Sequence, residues 1–298
     1  MVTTIGIYEK ALPKDISWPE RLKLAKELGF DFVEMSIDET DERLKRLDWS
    51  DKEILEVYQA TLETGISIYS ICLSGHRRFP FGSEDPKKRE KALEMMRKAV
   101  NLASKLGVRN IQLAGYDVYY ERKTQLSREY FIENLKKSVA IAAAKQVMLS
   151  IEIMDDPFIN SLTKFKQIQK QINSPWLQVY PDIGNLSAWP ENNSGYELEL
   201  GIENIVAVHL KDTMRVTDNF SGKFKEVPWG QGNVDFLGNF KTLKRLGYEG
   251  TFLIEMWSET EEEPEKAIRE AQKFLYPIME EAGYEPGKNN SGHERACV

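Results

Sequence analysis

The apolar positions of this chain fall into one recurring phrase: an amphipathic helix, often closed by glycine, and then a short apolar strand. The clearest case is "ERLKLAKELGFDFVEMSI". Leu22, Leu24, Ala25 and Leu28 carry the helical spacing up to Gly29, a residue suited to the left-handed conformation that ends many helices. The phrase returns in "YQATLETGISIYSICL", "AVNLASKLGVRNIQLAG" and "FKTLKRLGYEGTFLIEM", and without its glycine in "VAIAAAKQVMLSIEIM". Two further strands, "LQVYPDI" and "IVAVHLKD", follow segments 165–173 and 196–200. With "TTIGIYE" at the start, eight strands are expected. A last helix is predicted over 264–282, with Pro264 suited to its first position.

Eight alternating β/α units predict a (β/α)8 TIM barrel as a single domain over 1–285, followed by a solvated tail over 286–298. A doubly wound sheet is the second architecture. It is weakened because no G-x-G-x-x-G and no P-loop follows the first strand. No Pro- or Gly-rich linker divides the chain. The 298 residues, 41% hydrophobic and 29% charged, are ordinary for a globular protein. No apolar run reaches the roughly 18 residues of a membrane span, and the first residues lack the basic and apolar regions of a secretory signal. Cys72 and Cys297 lie far apart and read as reduced thiols, so a cytoplasmic protein is expected. The net charge of −7 and pI near 5.3 oppose nonspecific nucleic-acid binding.

Charge matters most at the strand ends. In "EGTFLIEMWSE" an apolar run leads into Glu255, flanked by Met256 and Trp257. An ionised carboxylate among such neighbours is costly unless it is paired or bound to a metal. Strand five ends with Glu152, strand six with Asp182, strand seven with His209 and strand eight with Glu255. In a barrel, all four would share the rim where chemistry is done. Any one of them alone reads more simply as a helix cap, an ion-pair partner or a hydrogen-bonded core histidine. Four buried polar groups on one rim need a common partner, and a divalent cation supplies it. Three carboxylates and one imidazole suit Zn, Mn, Co or Mg.

At these residues the sequence resembles the L-ribulose-5-phosphate 3-epimerases, also called L-xylulose-5-phosphate 3-epimerases, of the sugar isomerase-type barrels. The matching phrases include "GIYEKALP", "CLSGHRRFPFGSED", "YPDIGNLSAW", "VAVHLKDT", "GQGNVDF" and "LIEMWSE", spread from Gly6 to Glu259. The resemblance implies one divalent metal held by Glu152, Asp182, His209 and Glu255. It also implies a role in L-ascorbate or L-gulonate catabolism. Epimerising a ketose at C3 needs a polarised C2 carbonyl and an acid/base group on each face, and Glu152 and Glu255 are the natural pair. A pentulose phosphate is the expected small-molecule partner.

Candidates for its phosphate are His76, Arg77 and Arg78 after strand three and Lys211 after strand seven, although "GHRRF" also reads as a solvated basic loop. Amides of Gly230, Gln231 and Gly232 could contribute, and Trp189, Tyr116 and Tyr119 could wall the sugar, with core packing equally open to each. The loop 213–228 carries no expected site residue. A homodimer is compatible with this kind of barrel. A multi-metal endonuclease is disfavoured, since the chain has only His76, His209 and His293. A related isomerase or dehydratase shares the enediolate, and a non-catalytic sugar-binding barrel would not need paired acids over a metal.

Overall fold

The computed structural model describes residues 3–287. Eight parallel strands form its centre: β1 (Thr4–Tyr8), β2 (Phe32–Ser36), β3 (Ser67–Cys72), β4 (Asn110–Ala114), β5 (Met148–Glu152), β6 (Leu177–Tyr180), β7 (Ala207–Leu210) and β8 (Thr251–Ile254). Around them lie α1 (Trp18–Glu27), α2 (Asp41–Leu44), α3 (Asp51–Thr64), α4 (Pro86–Leu106), α5 (Gln125–Ala143), α6 (Leu162–Ile172), α7 (Ile183–Ala188), α8 (Ser194–Gly201), α9 (Phe236–Arg245) and α10 (Pro264–Glu281). The strand order is β6-β5-β4-β3-β2-β1-β8-β7. Isolated parallel bridges, Val179 with Ile205 and Asp182 with His209, bring β6 to β7 and nearly close the ring. The expected TIM barrel is therefore the fold, and each of the eight expected strands is one of its strands. The tail expected from 286 lies, beyond Gly287, outside the described residues, as does Cys297.

Local chemistry explains where the helices start and stop. Ser17 and Glu20 form a capping box on α1, as do Ser50 and Glu53 on α3. Asp85 caps α4, and Pro86 and Pro264 open α4 and α10, where a missing N–H costs nothing. Gly29, Gly65, Gly107 and Gly247 all have positive φ, between 74° and 84°. In the unit without a glycine, Gln146 takes the left-handed conformation at φ 55°; after α6, Asn173 does so at 49°.

Strand alternation sorts side chains into two cores. Outward residues such as Val33, Met35, Ile111 and Ile151 pack against the helices in one large apolar layer. Inside the ring, Tyr8, Phe32, Cys72 and Leu253 form a smaller cluster. Gly6 is required there: a Cβ on it would stand 2.1 Å from the Phe32 ring. Above this plug the inward positions turn polar, and a register shift in the β2–β3 pairing falls at Val33/Glu34.

Candidate metal and substrate site

The polar layer begins below the expected ligands. Ser70 on β3 donates to Glu34 on β2 at 2.5 Å, Ser150 donates to Asn110 at 2.9 Å, and the Gln112 amide donates to Glu152. Glu152 ends β5, Glu255 follows β8, and His209 lies on β7. Asp182 follows β6 and caps α7, its Oδ1 accepting the Asn185 N–H at 2.7 Å. The barrel brings all four predicted ligands together. One ligand atom from each lies within 4.8 Å of the others, and all four residues are buried.

Bonds of about 2.0–2.2 Å from one ion to four such donors place the donors some 3–4 Å apart, so a small contraction would suffice. The donors also want a cation. Among the described residues, Glu34, Glu152, Asp182 and Glu255 have only His209 and Lys211 as ion-pair partners. Asp182 Oδ2 is buried without a hydrogen bond, and the Lys211 ammonium lies 3.0 Å from it. The residues therefore fit a divalent ion.

His209 sits between two carboxylates. Its Nε2 is 3.1 Å from Glu34 Oε1 and its Nδ1 is 3.2 Å from Glu152 Oε1, while the Tyr180 ring packs 4.3 Å from it. Burial opposes its protonation, but Glu34, Glu255 and Glu152 overcome that and hold the pKa well above the ordinary histidine value. When a cation displaces the Nδ1 proton, the neutral ring with Nε2–H donated to Glu34 would turn its Nδ1 lone pair toward the other ligands. Glu34 was not among the expected site residues. Its signal was the period of two in "FVEMS", which sets Phe32, Glu34 and Ser36 on the inner face.

The two glutamates differ electrostatically. Burial raises the Glu152 pKa and the nearby Glu255 charge raises it further. Burial also opposes ionisation of Glu255, but Lys211, 2.8 Å from its Oε2, and His209 bring its pKa below the ordinary value. Asp182 is pushed upward, mainly by burial.

The predicted substrate-binding residues separate. Arg77 lines the cavity with Glu152 and Glu255, its guanidinium 5.6 Å from the Tyr116 ring centre and 5.2 Å from Tyr119. Lys211 is buried among the metal-site acids. His76 instead packs on Phe81, 4.2 Å between ring centres, with Nε2 3.3 Å from the Ala92 carbonyl on α4. Burial lowers its pKa to about 4. Arg78 is exposed and paired with Asp41 at 2.6 Å. Neither His76 nor Arg78 lines this cavity.

The amides of Gly230 and Gly232 donate to Asp212 Oδ2 at 2.9 Å each, so they are committed within the protein. Trp189 packs on Phe224 at 5.8 Å. The aromatic wall beside the acids includes Trp257, which sequence reasoning passed over. Among the described residues, no helix is long and apolar enough to cross a membrane.

Comparison with known proteins agrees with this architecture. Residues 22–278 match the family model of the xylose isomerase-like TIM barrel. SgbU of Escherichia coli (strain K12) is 57% identical over 94% of this chain and 98% of its own length. The L-ribulose-5-phosphate 3-epimerase UlaE of E. coli (strain ATCC 8739) is 54% identical over 94% and 96%. Among solved structures, an L-ribulose 3-epimerase is 19% identical, with a TM-score of 0.72 over 95% of this chain and 96% of its own, a likeness of fold. The chain thus belongs to the L-ribulose-5-phosphate 3-epimerases, an isomerase family built on the xylose isomerase-like TIM barrel.

Proposed function

We propose that this protein interconverts L-ribulose 5-phosphate and L-xylulose 5-phosphate by moving the C3 proton through an enediolate. The observation that carries the reading is two glutamates, from β5 and β8, converging on one buried cluster with metal-ligand chemistry, in a chain whose relatives carry that name. Glu152, Asp182, His209 and Glu255 would hold a divalent ion, Zn or Mn first and Co or Mg next. When bound, it supplies Lewis-acid polarisation of the C2 carbonyl.

The chain's own residues do the proton work. Lys211 holds Glu255 ionised, so Glu255 can accept the C3 proton from one face. Glu152, pushed toward its protonated form, can return a proton to the other. Microscopic reversibility exchanges these roles in the reverse direction. The Gln112 amide fixes the Glu152 carboxylate from below. Of the basic residues expected after β3, Arg77 faces the cavity and would contact the phosphorylated end, with Lys211 orienting the acids. The reaction would serve L-ascorbate or L-gulonate catabolism, as the resemblance implies, and the far-apart, unpaired-reading cysteines Cys72 and Cys297 support a cytoplasmic setting.

The test is turnover of L-ribulose 5-phosphate in deuterium oxide, followed by NMR, with metal-loaded and chelated protein. Deuterium at C3 of the product, dependent on Mn, Zn or Co, is the expected result. Deuterium at C1 would mean an aldose–ketose isomerase, and loss of water a dehydratase. Full activity in metal-free protein would remove the metal reading.

A further inference from the structure

Among the described residues, two side chains can set positive charge against the metal-site acids, His209 and Lys211. His209 gives up its charge on becoming a ligand, because a metal takes the nitrogen lone pair. Lys211 keeps its charge: an ammonium has three donors and no lone pair. Its Nζ stands 3.0 Å from Asp182 Oδ2 and 2.8 Å from Glu255 Oε2, so it bridges two of the four ligand residues. Lys211 is therefore a permanent cation at the edge of the cluster, not a fifth ligand.

Lys211 is buried, and its ammonium is confined to this place. Its stem runs along Gly184 in α7, where a Cβ would stand 2.6 Å from the Lys211 carbonyl and 2.9 Å from its Cγ. Thr213 Oγ1 donates to the Gly184 carbonyl at 2.8 Å, which ties the same two segments together. Asp212 accepts the Gly230 and Gly232 amides, and the Trp257 ring centre lies 5.4 Å from the ammonium. A surface lysine swings into water when a second cation approaches. Lys211 would have to break the packing on Gly184 first.

We propose that Lys211 is a built-in counter-cation, which holds the acid cluster together without an ion and weakens its grip on one, so that a bound divalent ion stays exchangeable. The inference rests on the metal reading above. Glu34, Glu152, Asp182 and Glu255 put four carboxylates in one buried layer. A divalent ion relieves their repulsion, and Lys211 already relieves part of it. Two cations that relieve the same repulsion each gain less when the other is present, and this coupling is reciprocal. They also repel each other directly. A single and a double charge about 6 Å apart, at an effective dielectric of about 20, repel by the equivalent of more than ~1,000-fold in affinity. The alignment that Lys211 gives to Asp182 and Glu255 favours metal binding by only about 10- to 100-fold, so the repulsion decides the sign.

The experiment titrates metal-stripped wild type, Lys211→Met and Lys211→Gln with Co(II) and Mn(II), and melts each protein with and without the ion. Removing the charge should move two properties in opposite directions. Both variants are expected to bind Co(II) at least ~10-fold more tightly than wild type. Metal-free, both should melt roughly 5–10 °C lower, with part of that gap closing in saturating Co(II). If the variants do not fold without an ion, recovery of the far-UV circular dichroism spectrum on adding Co(II) supports the counter-cation, and no recovery overturns it. Equal or weaker Co(II) binding by Lys211→Met overturns the proposal and leaves the metal reading intact. Wild-type affinity in Lys211→Gln, which keeps a donor without the charge, also overturns it, since hydrogen bonding would then be the whole effect. No binding of either ion by wild type and variants alike removes the metal reading, and the proposal with it.

Discussion

Glu152 and Glu255 carry the same functional group, yet their surroundings shift their pKa values in opposite directions, burial and Glu255 raising the one, Lys211 and His209 lowering the other. A two-base reaction makes a sharp demand of such a pair. Glu152→Gln or Glu255→Gln keeps the shape but removes the proton acceptor. Net epimerisation is expected to fall by several orders of magnitude in either, since both half-steps are needed. Deuterium wash-in at C3 should split: each variant exchanges one epimer without inverting it, and the two prefer opposite epimers. Both should still bind metal. Loss of exchange without epimer preference in metal-bound variants would remove the opposite-face assignment.

Glu34 tests a different link. By accepting from His209 Nε2 it fixes which ring nitrogen faces the ligand cluster, so Glu34→Gln should weaken metal binding ~10- to 100-fold while the fold persists. Co(II) titration with a thermal melt would separate that from general damage. The four ligands were legible in the sequence because each ends an apolar run. Glu34 was hidden because a mid-strand acid shows its importance only when its face is known. "GHRR" misled for a related reason. Ser74–Arg77 form a 3-10 turn, in which successive residues point about 120° apart. His76, Arg77 and Arg78 therefore reach a core, a cavity and solvent respectively.

At the scale of elements, hydrophobic periodicity was enough to place every strand, because a strand buried on both faces leaves a continuous apolar run. The short helices α2, α7 and α8 were less legible: α7 is almost wholly buried, so it has no polar face to reveal a helical period. The missing glycine after α5 had a structural consequence that the phrase itself pointed to. Gln146 occupies the conformation that glycine takes in the other units, at a cost of roughly 1–2 kcal/mol for a residue with a Cβ. Glycine would give back part of this in unfolded-chain entropy, about 0.5–1 kcal/mol. Gln146→Gly should therefore stabilise the protein by up to ~1 kcal/mol, read as a higher urea midpoint with unchanged slope. A lower midpoint would mean that the Gln146 side chain contributes more than its backbone strain costs.

For the whole molecule, the barrel is joined where the chain's first strand meets its last, and a buried ionic network spans that seam. Glu9, after β1, faces Arg46 at 2.6 Å, Arg43 at 3.0 Å and Arg21 at 3.9 Å, and its Oε2 accepts the Ser36 N–H at 2.7 Å. Arg43 continues to Glu259 beyond β8, tying positions far apart in sequence. Burial raises the Glu9 pKa, but the three arginines outweigh it, and the folded value lies below the ordinary 4.5. The unfolded chain therefore binds this proton more readily. The stabilisation is present above about pH 4.5 and is lost as pH falls through the lower folded value. Glu9→Gln leaves three buried or half-buried guanidinium groups short of a counter-charge, a loss of about 3–5 kcal/mol near pH 7. Both proteins lose the contributions of their other paired carboxylates in acid, but only the wild type also loses that of Glu9, so the gap between their denaturation midpoints narrows as pH falls below about 4.5. A gap that stays constant from pH 7 to pH 3 would mean that Glu9 holds the seam by shape and hydrogen bonding rather than by its charge.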